Sequence, residues 1–133
     1  MSSHLQLPMA YIRDKAKGHG KQNRIEGIIR PGQKVVLVED LISTGGSVIA
    51  AATAIQEAGG EVLGVVAIFT YELSAATTNF AAAGIPFQVL TNYSTLITIA
   101  EQNGHITALE RKKTESVARR SGIGGMASHV KRY

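Results

Sequence analysis

The feature that most constrains this chain is an alternation that begins at Lys34: short, almost wholly apolar runs separated by stretches with helical composition. Val35-Val36-Leu37-Val38 and the run from Val62 to Phe69 are too uniformly apolar to be strands with one wet face, so both are expected to be covered by helices on two sides. Between them lies Ser47 to Ala58, rich in alanine and closed by Gly59-Gly60, which can supply a left-handed helix cap. Strand, helix, strand in this order is a βαβ crossover and requires parallel pairing. Phe87 to Leu90 reads as a third strand and Met9 to Ile12 as a fourth. Ser74 can cap a second helix that stops at Gly84 before Pro86, and Ser94 a third that stops at Gly104. Thr107 and Glu110 have the spacing of a capping box for a last helix reaching about Arg120. The expected class is α/β, a mostly parallel sheet flanked by helices.

At 133 residues the chain fits one domain. Hydrophobic residues make up 44% and charged ones 18%, enough apolar material for a core and too little charge for a disordered chain. Without any cysteine, disulfides, thiolate metal sites and cysteine nucleophiles are excluded together. The start, Met1 to Pro8, lacks a basic region followed by an apolar stretch, and no run has the length of a membrane span, so a soluble cytoplasmic protein is expected, with no membrane partner.

Charge is divided sharply along the chain. Residues 35–110 hold seven acids and no Lys or Arg, whereas the segments on either side carry seven basic residues each. Positive charge is thus delivered from arms rather than spread over one face. The first arm includes a polar, glycine-bearing segment with Arg13, Lys15, Lys17, Lys21 and Arg24, and such segments in small domains are usually functional loops. The second, from Arg111, ends in a Gly-rich basic tail with no aromatic residue before Tyr133, which argues against nucleic-acid recognition. His4, His105 and His129 have no metal-ligand spacing, and no protein metal cage is expected.

The chemistry concentrates in Val35 to Ser47. A buried strand ends in adjacent carboxylates, Glu39 and Asp40, then passes through Leu41 and Ile42 into Ser43-Thr44-Gly45-Gly46-Ser47 and a helix. In open α/β sheets ligands bind at the carboxyl ends of strands. Hydroxyls and glycines at a helix N-terminus suit a phosphate, because amides point outward and the helix dipole favours an anion. Carboxylates beside such a cradle cannot bind the phosphate itself and suit sugar hydroxyls or a cationic centre.

This segment resembles the binding motif for 5-phosphoribosyl 1-diphosphate (PRPP) of type I phosphoribosyltransferases. The stretch Tyr11-Ile-Arg13-Asp-Lys-Ala-Lys17-Gly-His19-Gly20, followed by Ile25-Glu26-Gly27, resembles the catalytic loop of orotate phosphoribosyltransferase, and the likeness runs from about Leu7 to Gly104. It implies that Arg13, Lys17 and His19 contact the pyrophosphate of PRPP, from the neighbouring subunit of a homodimer. Glu39 and Asp40 would hold the ribose hydroxyls and Ser43, Thr44, Gly45, Gly46 and Ser47 the 5′-phosphate, with Leu41 and Ile42 also in the PRPP site and Ser43 also near orotate. Arg13, Lys17, His19 and Asp40 are the implied catalytic set. Asp14 stands where some family members have a second basic residue.

The implied reaction joins orotate to the phosphoribosyl group of PRPP with Mg²⁺, giving orotidine 5′-phosphate and pyrophosphate in pyrimidine synthesis. The resemblance also implies a partial domain: residues 1–104 as an incomplete core with its loop at about 13–25, and 105–133 as a helix and tail. The family's N-terminal portion, with the central strand, a pyrophosphate loop and orotate contacts, has no counterpart in this sequence. The alternatives are a phosphoribosyltransferase for a purine base, and a PRPP-binding regulator or fragment without catalysis.

Overall fold

The computed structural model describes residues 2–13 and 25–120. A short helix α1 (Ser2–Leu5) leads to a two-stranded antiparallel ribbon of β1 (Tyr11–Ile12) and β2 (Ile25–Glu26), in which Tyr11 faces Glu26 and Ile12 faces Ile25. The main sheet follows: β3 (Lys34–Ile42), helix α2 (Gly46–Glu57), β4 (Glu61–Thr70), helix α3 (Ser74–Ala83) and β5 (Phe87–Asn92). Its three strands are parallel in the order β3-β4-β5, so β4 is central. Helices α4 (Tyr93–Gln102) and α5 (Ala108–Arg120) complete the described chain. Among the described residues no helix is long and apolar enough to cross a membrane.

The α/β class and the parallel sheet agree with the sequence, but two expectations need correction. Met9 to Ile12 is not a strand of the main sheet: only Tyr11 and Ile12 are extended, and they pair with β2. Nor are the apolar strands covered twice. The core joins Leu37 of β3 and Val65 and Ala67 of β4 to Val48, Ala52 and Ile55 of α2 and Ala76 and Phe80 of α3, all on one side of the sheet. On the other side Val36 is 50% exposed, Val38 56%, Ile68 54% and Leu90 77%. The reason is topological. Strands laid down in sequential order with crossovers of one hand put every crossover helix on the same face, and the second face is covered only where the strand order reverses.

Local signals set most element ends. Gly59 at φ +91° and Gly84 at φ +66° end α2 and α3, where the left-handed backbone favours glycine. The capping box forms at α5: the Thr107 amide donates to Glu110 Oε2 at 2.7 Å, and the Glu110 amide donates to Thr107 Oγ1 at 3.2 Å. Two caps fall elsewhere than expected. Leu73 precedes α3 without a side-chain cap bond, and Ser74 is the first helical residue. Asn92 caps α4 through Oδ1, which accepts from the Thr95 amide at 2.9 Å, because Ser94 is engaged with Glu72. Arg111, read from sequence as part of a basic arm, ties α5 to α4 by donating to Glu101, and it also donates to Glu115 one turn further along α5.

Two outcomes follow for stability. Gly45, just before α2, has φ +80°, and a Cβ there would lie 2.7 Å from the Phe80 ring. Gly45→Ala should cost at least about 1–2 kcal/mol from the left-handed backbone alone, with displacement of Phe80 added, read as a lower urea midpoint. The Glu110 carboxyl is held below its ordinary value by the Thr107 amide first and the Thr107 hydroxyl second. Its contribution is present above the ordinary glutamate pKa and is lost as pH falls through the lowered folded value. Amide protection factors in α5, corrected for the intrinsic pH dependence of exchange, should therefore fall on acidification, and Glu110→Gln should flatten that dependence.

Candidate functional site

The carboxyl end of β3, the turn that leaves it and the first residues of α2 enclose a shallow cleft. Its lining is Glu39, Leu41, Ile42, Ser43, Gly45, Gly46, Ser47 and Val48. The sequence pattern builds this directly. β3 carries the chain to the ligand side of the sheet, and Gly45, in the left-handed region, reverses it into α2. The helix ladder opens with the Ile49 amide donating to the Gly45 carbonyl at 3.0 Å, so the preceding turn directs its amides outside the helix's own bonding. Gly45 itself passes over Phe80, whose ring stacks on Phe87 with centroids 4.3 Å apart. The turn thus rests on the core. It is further held by Asn79 of α3, whose Nδ2 donates to the Thr44 carbonyl at 2.9 Å.

Of the residues expected to act here, the structure brings Glu39, Leu41, Ile42, Ser43, Gly45, Gly46 and Ser47 to one lining. Asp40 and Thr44 are not part of it. Asp40 is exposed, and its amide donates to Glu39 Oε1 at 3.0 Å. Adjacent residues of a strand project to opposite faces, so two neighbouring acids cannot both point straight into one side. Thr44 is turned by its carbonyl bond to Asn79. Val48, which the sequence analysis did not single out, is buried and also lines the cleft.

Arg13 is not among the cleft-lining residues. Its guanidinium pairs with Glu26, across the ribbon from the segment's exit to its return. Lys17 and His19 lie outside the described residues. No Lys or Arg occurs between residues 35 and 110, so the turn and helix start contribute positive potential through amides alone. Among the described residues no group of three or more His, Cys, Asp or Glu is placed to hold a metal. Glu39 in the lining and Asp40 beside it are the hard oxygen donors there, a set suited to an ion that keeps most of its ligands from water and phosphate.

A second feature on the ligand side was not legible as a unit. Glu72, just past β4, has φ +58°, and its amide donates to Thr70 Oγ1 at 3.1 Å. Its Oε2 accepts from the Ser94 amide at 3.0 Å and the Ser94 hydroxyl at 2.5 Å, tying the end of β4 to the start of α4. The available signal was an acid at a strand end and a serine at a helix start, but the residues are far apart in sequence. Tyr71, beside it, packs edge-on against Phe69 at 5.3 Å.

Comparisons with known proteins agree with this geometry. The chain is 56% identical over 115 residues to an orotate phosphoribosyltransferase of Bacillus cytotoxicus, covering 86% of this chain and 55% of that protein. It is similar to the crystal structure of orotate phosphoribosyltransferase from Aeropyrum pernix, with TM-score 0.65 and 25% identity over 80% of this chain and 57% of that one. It is also similar to Mycobacterium tuberculosis orotate phosphoribosyltransferase in complex with PRPP, with TM-score 0.53 and 30% identity over 64% of this chain and 47% of that one. The chain spans about half the length of the curated relatives it matches. The family model for the phosphoribosyl transferase domain matches residues 1–79, from the ribbon through the cleft and into α3, and with the relatives it establishes that this chain belongs to the phosphoribosyl transferase family.

Proposed function

We propose that this chain carries the PRPP-binding part of an orotate phosphoribosyltransferase, which transfers the 5-phosphoribosyl group of PRPP to orotate in the cytoplasm. The observation that carries the reading is the cleft at the end of β3, lined by Glu39, Leu41 to Ser43 and Gly45 to Ser47 of the PRPP motif, in a chain 56% identical to an enzyme of that name. The purine-base alternative is not favoured, since the curated relatives at 54–56% identity are orotate phosphoribosyltransferases.

In this reading Ser43, Thr44, Gly45, Gly46 and Ser47 receive the 5′-phosphate through amides and hydroxyls at the start of α2. Glu39 and Asp40 accept from the ribose hydroxyls, Asp40 by a side-chain rotation from its exposed position. Leu41 and Ile42 shape the wall. No side-chain nucleophile is needed, because a ring nitrogen of orotate attacks the anomeric carbon as pyrophosphate departs. The protein positions the reactants and stabilises two developing charges. Carboxylates face the cation-like ribose, as in glycoside hydrolysis. Arg13 and Lys17 neutralise the leaving pyrophosphate and His19 donates a hydrogen bond or proton to it, from the loop of the neighbouring subunit in a homodimer. For that contact Arg13 must leave Glu26. Mg²⁺, when bound, neutralises phosphate oxygens, with Glu39 and Asp40 offering at most one or two carboxylate ligands. Residues 1–104 form the partial core, and residues 105–133 are a C-terminal helix and basic tail. Orotate contacts beyond Ser43 come from the part of the relatives outside the match, and this chain alone is expected to bind PRPP without turnover.

Two measurements test this. In calorimetric titration of the chain with PRPP and Mg²⁺, Asp40→Asn should weaken binding about tenfold or more, the worth of a charge-assisted hydrogen bond; no saturable binding by the unaltered chain would overturn the reading. When the chain is joined to the portion of the Bacillus cytotoxicus enzyme that it does not match, orotate consumption should appear. There Lys17→Ala should lower kcat about a hundredfold with a smaller change in PRPP affinity, because charge on the pyrophosphate grows toward the transition state. An unchanged kcat would remove Lys17 from the mechanism.

A further inference from the structure

One peptide bond decides whether the cleft turn offers a donor or an acceptor at its centre. Gly45, at φ +80° and ψ −3°, has the angles of the third residue of a type II turn. Half a rotation of the Thr44–Gly45 peptide plane gives the type I arrangement, with φ negative at Gly45 and every Cα left in place. Glycine accepts both, because it has no Cβ to clash at either sign of φ. Phe80 lies against Gly45 and fixes the path of the chain there. A rotation of the peptide plane moves the carbonyl and the amide but not that path, so contact with Phe80 leaves the choice to a hydrogen bond.

That bond comes from α3. Asn79 Nδ2 donates to the Thr44 carbonyl at 2.9 Å. In a trans peptide the carbonyl and the following amide point in opposite directions. A Thr44 carbonyl held toward α3 therefore sends the Gly45 amide away from α3, to the side on which Gly45 lines the cleft. Thr44, whose carbonyl is turned back, does not line it. Among the described residues no backbone acceptor receives the Gly45 amide. In the rotated state the Thr44 oxygen would stand where that amide now points, and an anion would meet a dipole of the wrong sign.

We propose that Asn79 is a positioning residue for the cleft: its bond to Thr44 selects the orientation that presents the Gly45 amide to an anion. The role rests on the reading of the cleft as the 5′-phosphate site of PRPP. Asn79 acts on the fraction of molecules whose turn is ready to bind, and apparent affinity scales with that fraction. It directly precedes Phe80, which is 2% exposed, so the core fixes the place from which its short side chain reaches. Asn79 itself is exposed, so its bond competes with water and its effect on affinity is graded rather than absolute.

Asn79→Leu keeps the size of the side chain and removes the donor. In calorimetric titration with PRPP and Mg²⁺ it should weaken binding about threefold to tenfold, with a urea midpoint close to that of the unaltered chain. In the ligand-free chain, the two three-bond couplings between the Gly45 amide and α protons report φ by nuclear magnetic resonance. In Asn79→Leu they should move toward the values of a negative φ, a signature that a merely stabilising role would not produce. Couplings that stay at the values of φ +80° would overturn the proposal, as would shifted couplings with unchanged PRPP affinity. Failure of the unaltered chain to bind PRPP would fall on the proposed function instead. The couplings, read without ligand, would still decide whether Asn79 sets the orientation of the peptide.

Discussion

Where the chain leaves β3 and turns into α2, it must pass closely over Phe80, and only a residue without a Cβ at φ +80° fits that path. The same ring is 2% exposed and stacks on Phe87 of β5, so one aromatic side chain joins the cleft turn, α3 and the third strand. The cleft is consequently not a loop laid on a finished domain. Its floor is the core, and the amides at the start of α2 are aimed by the same packing that seats α3 on the sheet. Asn79, one residue before Phe80, adds a polar hold on the Thr44 carbonyl. Preorganised amides of this kind need little rearrangement when an anion arrives.

Much of this was legible because the signals are local. The strand–turn–helix at Val35 to Ala58, the left-handed glycines 59 and 84 and the Thr107–Glu110 box each depend on a few adjacent residues, and all form as the pattern dictates. What was not legible depends on the face a residue occupies or on distant partners. Glu39 and Asp40 read as one acidic pair, yet strand alternation separates them, one into the cleft and the other to its outside. Val36 and Val38 read as buried from above, because composition reports that a face is apolar and not which segment lies on it. Ser94 looked like a cap until Glu72, distant in sequence, claimed both its amide and its hydroxyl.

The charge distribution acquires a spatial meaning in the fold. The sheet, its crossover helices and the cleft are built from the segment that contains no Lys or Arg, so this part of the protein offers an anion only dipoles and hydroxyls. Side-chain cations must come from outside that segment. On one side the ribbon presents Arg13 held by Glu26, and on the other Arg111 joins α5 to α4 through Glu101 and pairs with Glu115 within α5. Both arginines are partly exposed and both are paired: the second arm begins with one that links α5 to α4 through Glu101, the first with one that pairs with Glu26 across the ribbon.

Glu72 shows how a position can be over-determined. Its backbone, at φ +58°, is of the kind for which glycine is the natural occupant, while its side chain holds the first turn of α4 to the end of β4. Glycine would relieve the backbone and lose the tether, and a β-branched or apolar L residue would keep the strain without the reward. Glutamate there is thus a compromise in which neither requirement is met at its optimum.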